Sequence, residues 1–326
     1  MPIDVSIIIP VYKNANSLSR CLDSILAQDF IGTYEAILCV DDSGDGSLQI
    51  AEDYANRYPD KIVLHHPDHR MGLSLARQEG FDLARGEYIY ACDADDELKE
   101  NALRVLVDTI RKYDADLVNC SFYTAKGSKE HARVYPFRLP TRVFNAEKAV
   151  SCFMMDATFR AFLWTKLFRA SLLKCYPRIV LTKKGVMFED LAFVSALLAN
   201  CKKVVNIPTP LYYYYQDNPE SEASKPRSDR ARWHLSVFAS VRLYFDRLGN
   251  PRLVKAFRKK KFRIRLSLLF DLKMDKKNGL GKEGKKECLA ALKAVTAKEP
   301  LDANNPYFAD YVKGVIIEKD ASSVSK

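Results

Sequence analysis

The chain has 326 residues, 48% of them hydrophobic, with 51 Lys/Arg against 41 Asp/Glu and eight cysteines. That length holds one large domain with an extension, or two domains, each with a full core. No apolar run approaches the roughly twenty residues needed to span a bilayer, and no repeat or low-complexity tract is present.

The cysteines at 21, 39, 92, 120, 152, 175, 201 and 288 form no C-x-x-C pair, and several sit in apolar runs. They read as reduced, buried thiols in a reducing compartment, not as a disulfide framework or a zinc site. The five histidines show no ligand spacing. An apolar strand begins at Val5 with no basic segment before it, so a cytoplasmic protein is expected. Charge is uneven: residues 1–110 hold 9 Lys/Arg against 20 Asp/Glu, while residues 225–287 hold 20 against 6. Such blocks imply different partners for the two ends, or each other.

Strands are predicted at Val5–Pro10, Glu35–Asp41, Ile62–His66, Glu87–Cys92 and Asp116–Ser121. Helical patterns fall between them at Leu18–Ala27, Ser47–Tyr58, Ser74–Ala84 and Leu98–Tyr113. This alternation predicts an α/β, doubly wound, mostly parallel sheet in a Rossmann-like nucleotide-binding domain. Beyond residue 122 the pattern loosens. Residues 126–145 are loop-like or carry short strands, Ala146–Met155 and Asp190–Asn200 are helical, and Lys203–Ile207 is a strand. Thr209-Pro210 and the polar stretch Gln216–Arg230 mark a boundary. The expected domains are 1–220, with halves 1–121 and 122–220, and a basic, mainly helical extension over 221–326. In that extension Trp233–Leu248 and Pro251–Leu272 read as helices, although Phe262–Phe270 also alternates as a strand would.

Strand ends one, two and four finish in polar motifs: Pro10-Val11-Tyr12, then Asp41-Asp42-Ser43-Gly44-Asp45-Gly46-Ser47, then Asp93-Ala94-Asp95-Asp96. In a doubly wound sheet these ends line one crevice. Three acids within four positions repel one another and are costly to desolvate unless a cation neutralises them; oxygen-only ligands suit Mg²⁺ or Mn²⁺. The plainer alternative is a solvated turn capping the helix near Leu98.

In order and spacing these motifs, with Gly72-x-Ser74-x-Ala76-Arg77 and Gly86-Glu87-Tyr88-Ile89, resemble glycosyltransferase family 2 enzymes of the GT-A fold. Trp164–Arg169, Gly185-x-x-Phe188-Glu189-Asp190 and Leu211–Tyr214 extend the resemblance over about residues 3–221. It implies a transferase that uses a nucleotide-diphosphate sugar, expected to be UDP-linked, and inverts the anomeric centre in making surface polysaccharide. By the resemblance, Pro10, Val11 and Tyr12 line the nucleoside and Asp42, or Asp41, bonds the base. Gly72 allows close approach of the nucleotide, Arg77 contributes to its binding, and Ala94 lies in the same motif. Asp93 faces ribose or metal, Asp95 holds the Mn²⁺ or Mg²⁺ on the diphosphate, and Asp190 is the general base, with Glu189 the fallback. Asp96, Glu189 and Ser221 are candidate acceptor or diphosphate contacts. The chain departs from the family in a second-strand loop shorter by one residue and in Arg70, where Asn is frequent.

The acceptor implied is a glycan or lipid-linked glycan. The basic, apolar-faced segment Lys255–Leu266 is open to two readings: contact with an anionic membrane at the inner face of the cell, or a helix packed on the catalytic domain. Nucleic-acid binding is not expected, since no aromatic platform or known module accompanies the charge. A non-catalytic nucleotide- or glycan-binding scaffold is the alternative, against which intact Asp93, Asp95 and Asp190 argue. No motif encodes the donor sugar, the linkage or the oligomeric state.

Overall fold

The computed structural model describes residues 2–41, 43–135, 140–155, 159–174, 179–180, 189–216, 237, 241–242, 244–257, 268–269, 272, 281–296 and 316–317. These fall into two compact units. The first comprises residues 1–145, 162–175 and 201–220, the second 146–161, 176–200 and 221–326.

In the first unit, β1 (Val5–Val11), β2 (Tyr34–Val40), β3 (Ile62–His65) and β4 (Tyr88–Ala91) alternate with α1 (Leu18–Leu26), α2 (Ser47–Arg57) and α3 (Leu73–Leu83). The strands pair in parallel in the order β3-β2-β1-β4. Every residue of β1 and β2 is buried, as expected for strands covered on both faces. Helix α1 places Leu18, Cys21, Leu22 and Ile25 inward, spaced so that one stripe of the helix meets the sheet. Gly86 lets the entry to β4 lie against β1: a Cβ there would sit 2.5 Å from the Ser6 nitrogen, and its N–H donates to Ser6 Oγ at 2.8 Å.

The chain continues through β5 (Glu97–Leu98), α4 (Ala102–Tyr113), β6 (Leu117–Lys126), β7 (Ser128–Val134) and β8 (Arg142–Phe144). With β9 (Lys166–Arg169), α6 (Ser171–Lys174) and β11 (Val204–Tyr215) these complete a ten-stranded mixed sheet of order β3-β2-β1-β4-β9-β6-β11-β5, with β7 on β6 and β8 on β11. The parallel half of the sheet is as predicted. The antiparallel insertion of β9 between β4 and β6 is marked in the sequence only by Trp164–Arg169, one of the elements of the family resemblance.

Two local expectations change. The helix predicted from Leu98 starts at Ala102, because Glu97 and Leu98 pair antiparallel with Tyr213 and Tyr212. The strand predicted to stop at Ile207 runs to Tyr215, past the expected break at Thr209-Pro210. Pro210 sits between two register shifts on β6, a position that demands no ladder N–H from it.

In the second unit, α5 (Ala146–Met154) packs on α7 (Glu189–Asn200), whose Asn200 Nδ2 donates to the Tyr244 hydroxyl. β10 (Ile179–Val180) and β12 (Ile316–Ile317) pair antiparallel, and Gly281–Thr296 forms a helix. Residues 251–257 are helical, in keeping with Pro251 in a first turn. Most of the basic segment lies outside the described residues. Among those described, no helix is long and apolar enough to cross a membrane.

Candidate active site

Because β1, β2 and β4 are parallel neighbours in register, their carboxyl ends share one sheet edge. Pro10 and Val11 are buried there, and Tyr12 is half-buried, with the Arg70 guanidinium 4.4 Å over its ring. The next loop is tied to this one by Asp45. Its carboxylate accepts from Ser43 Oγ at 2.7 Å, Ala15 N at 3.0 Å, Ser47 N at 3.1 Å and Ser47 Oγ at 2.9 Å. Partial burial would raise its pKa, but these donors prevail and hold it at about 2.

Asp41 is 4% exposed, and its two oxygens accept the backbone N–H groups of Met71 and Gly72, each at 2.7 Å. This carboxylate therefore pins the segment before α3. Gly72 opens α3 with φ of +72°, and no atom lies within 4 Å of where its Cβ would be. Only glycine takes that conformation without strain, and the space beside it is open to a ligand. One turn into α3, buried Arg77 donates from Nη2 to Asp93 Oδ1 at 2.8 Å. Burial of the guanidinium, with the Asp93 side chain 28% exposed, makes this pair the inner wall of the site.

The turn after β4 divides its residues by exposure. Asp93 and Asp95 are half-buried, Ala94 is 2% exposed and Asp96 is fully buried. Asp96 Oδ2 accepts from the Tyr212 hydroxyl and Oδ1 from Tyr215 N, both at 2.8 Å. Burial, then the negative charges of Asp95 and Asp93, push its pKa well above the carboxylate range. Asp96 thus anchors β11, and its expected roles as acceptor contact or helix cap are corrected: it has no exposed surface, and α4 begins six residues on. The same Tyr212 hydroxyl accepts the Asp93 N–H at 3.1 Å.

Asp93 and Asp95 are hard oxygen donors, half-buried at this edge. Among the described residues no three His, Cys, Asp or Glu side chains converge, so protein groups alone do not enclose an ion. A pair of carboxylates fits Mg²⁺ or Mn²⁺ that completes its shell with phosphate oxygens and water.

Glu189 and Asp190 belong to the second unit, where they form the first turn of α7. Asp190 is half-buried at a helix start, where the dipole favours a carboxylate. Asp42 and Ser221 lie outside the described residues. The buried cysteines behave as packing groups: burial pushes the Cys39 and Cys120 thiols up to about 12.

Sequence reasoning missed Asp45, Arg20, Tyr212 and Tyr215 as site-building groups. Asp45 was visible in the loop motif. Tyr212 lay within the Leu211–Tyr214 motif, but its role could not be read, because its hydroxyl serves Asp93 from 119 residues away.

A mixed α/β sheet whose parallel half carries a glycine-opened helix and a half-buried Asp-x-Asp pair on one edge is of the GT-A class. The model of glycosyl transferase family 2 matches residues 6–168, and the chain belongs to that family. It is 30% identical over 220 residues to the cholesterol galactosyltransferase of Borreliella burgdorferi, across 65% of this chain and 60% of that enzyme. It is also 30% identical over 244 residues to the uncharacterized glycosyltransferase EpsJ of Bacillus subtilis, across 74% of this chain and 69% of the relative. A poly(ribitol-phosphate) beta-glucosyltransferase of Bacillus spizizenii is 30% identical over 217 residues, 65% of this chain but 32% of that protein. Among solved structures, S. aureus TarS 1-349 in complex with UDP has a TM-score of 0.65 at 17% identity, covering 90% of this chain and 81% of that one. The mannosyltransferase PcManGT of Pyrobaculum calidifontis, in complex with GDP-Man and Mn²⁺, has a TM-score of 0.55 at 16% identity, covering 96% and 80%. At these identities the structures establish a shared GT-A fold.

Proposed function

We propose that this protein is an inverting glycosyltransferase that moves a sugar from a nucleotide-diphosphate donor, most simply UDP-linked, to a hydroxyl of a surface glycan or lipid-linked glycan. The observation that carries this reading is the convergence of three strand-end motifs on one edge, with Arg77 bonded to Asp93 beside a glycine-opened helix. The UDP in the TarS complex and the polymer named for the Bacillus spizizenii relative favour this donor and acceptor class.

Tyr12 with Pro10 and Val11 would face the nucleoside. Asp42 would bond the base, while Asp41 holds Gly72 so that the nucleotide can approach the backbone. Asp95 and Asp93 would hold a divalent cation, which when bound would neutralise charge on the departing diphosphate. Asp190 takes the proton of the acceptor hydroxyl as its oxygen bonds to the anomeric carbon and the bond to the diphosphate oxygen breaks. A single displacement inverts that carbon.

The test is a panel of nucleotide sugars with Mn²⁺ or Mg²⁺, following nucleotide release and protection against thermal unfolding. One donor is expected to give both signals. Asp95→Asn is expected to lose transfer and metal-dependent protection, and Asp190→Asn to lose transfer by at least about 100-fold while retaining nucleotide protection. Unchanged transfer in both variants would overturn the mechanism, and protection without turnover by any donor would favour a binding scaffold.

A further inference from the structure

The turn that carries Asp93 and Asp95 is gripped from two sides, and one grip comes from a helix that no motif includes. Arg20 of α1 donates from Nη2 to the backbone carbonyl of Asp95 at 2.7 Å. Its guanidinium lies over the Tyr215 ring, with Cζ 3.8 Å from the centroid, and its Nε is 3.2 Å from Glu97 Oε1. Glu97, 4% exposed, also accepts the Tyr215 hydroxyl at 2.6 Å and meets Lys129 Nζ at 3.1 Å. A ring beneath, an acid beside Nε and a carbonyl bonded to Nη2 restrict where the guanidinium can lie. On the opposite side the Asp93 N–H is held by Tyr212, whose ring stacks on Trp164 with centroids 4.5 Å apart.

Resting on the metal reading above, we propose that Arg20 is a positioning residue for the Asp95 carboxylate, with Tyr212 as the matching hold on Asp93. The turn carries two neighbouring acids that repel each other when no cation is bound. Left unheld, it would spread and part the carboxylates. Fixing the backbone at the Asp93 nitrogen and at the Asp95 carbonyl keeps the two donors at one spacing, so that the cation meets a site already formed. Arg20 needs no contact with the substrate to do this.

The experiment measures Mn²⁺ binding by the loss of the free-ion paramagnetic resonance signal, with UDP present, in the full chain and in Arg20→Met, Arg20→Lys and Tyr212→Phe. UDP binding without metal and thermal stability are measured in parallel. Arg20→Met is expected to weaken Mn²⁺ binding about 10-fold, as loss of a charge-assisted hydrogen bond would, with metal-free UDP affinity unchanged. Arg20→Lys, lacking the planar stack, is expected to recover only part of that, and Tyr212→Phe to weaken Mn²⁺ in the same way. A wild-type Mn²⁺ affinity kept by Arg20→Met overturns the inference alone. Equal losses of metal-free UDP affinity and of Mn²⁺ affinity would show a general structural role and also overturn it. Absence of Mn²⁺ binding by the wild type overturns the metal reading and this inference together.

Discussion

Asp45 shows how one side chain can join two strand-end loops. Its two oxygens tie the loop after β1, through Ala15 N, to the loop after β2, through Ser43 and Ser47. Because the folded pKa is about 2, below the ordinary 3.8, its contribution to stability is full above about pH 4 and fades as pH falls towards 2. The carboxylate is exposed, so solvent screening discounts that contribution to about 1 kcal/mol. Asp45→Asn is therefore expected to lower the melting temperature by a few degrees at pH 7, and the gap to the wild type should narrow between pH 4 and pH 2.5. A gap independent of pH would contradict this assignment. Asp41 differs in kind: nearly buried, with both oxygens on backbone N–H groups, it holds the segment before Gly72 in place.

At the scale of elements, β11 matters most for the site although it lies three strands from β4 in the sheet. Its Tyr212 hydroxyl and Tyr215 amide both reach the turn after β4, through Asp96. Asp96→Ala would leave a buried N–H and a buried hydroxyl without that partner. It is expected to cost about 2 to 6 kcal/mol by urea unfolding, at about 1 to 3 for each orphaned group. Asp96→Asn keeps the shape and an acceptor for the Tyr215 N–H, and burial already favours the neutral acid over its anion. It is expected to cost less than about 1 kcal/mol; equal losses for the two variants would sink the anchoring role. The strand earns this reach by passing through Pro208 and Pro210, where register shifts against β6 absorb the missing donors.

For the molecule as a whole, ligand binding and stability are linked. A nucleotide held jointly by the protein and a divalent cation should stabilise the folded chain by about 2.7 kcal/mol at a hundredfold excess over Kd. That corresponds to a rise of about 4 °C in the melting temperature with UDP and Mn²⁺ together. EDTA should remove most of the rise while leaving the protein without nucleotide unchanged. An EDTA-resistant shift would place binding on the strand-end motifs alone. The five parts of the family pattern lie in the first 96 residues, which also carry the acidic excess, so the cation is expected to work against an already negative edge.

The amino-acid sequence by itself determined the parallel half of the fold and most of the candidate site. Apolar runs of strand length alternating with amphipathic helices dictate β1 to β4, and the polar residues that end those runs must then fall on one edge. It also carried the family, through Pro10-Val11-Tyr12, Gly72, Arg77 and Asp93-Ala94-Asp95 in order. Only the tertiary structure decided what holds those residues. Arg20 on Asp95, Tyr212 on Asp93, Asp96 on β11 and Asp41 on Gly72 are contacts across 31 to 119 residues, with no local periodicity to announce them. It also separated the roles within four adjacent positions. Asp93 and Asp95 stay half-buried, whereas Asp96 is fully buried, its carboxyl accepting from Tyr212 and Tyr215 of β11.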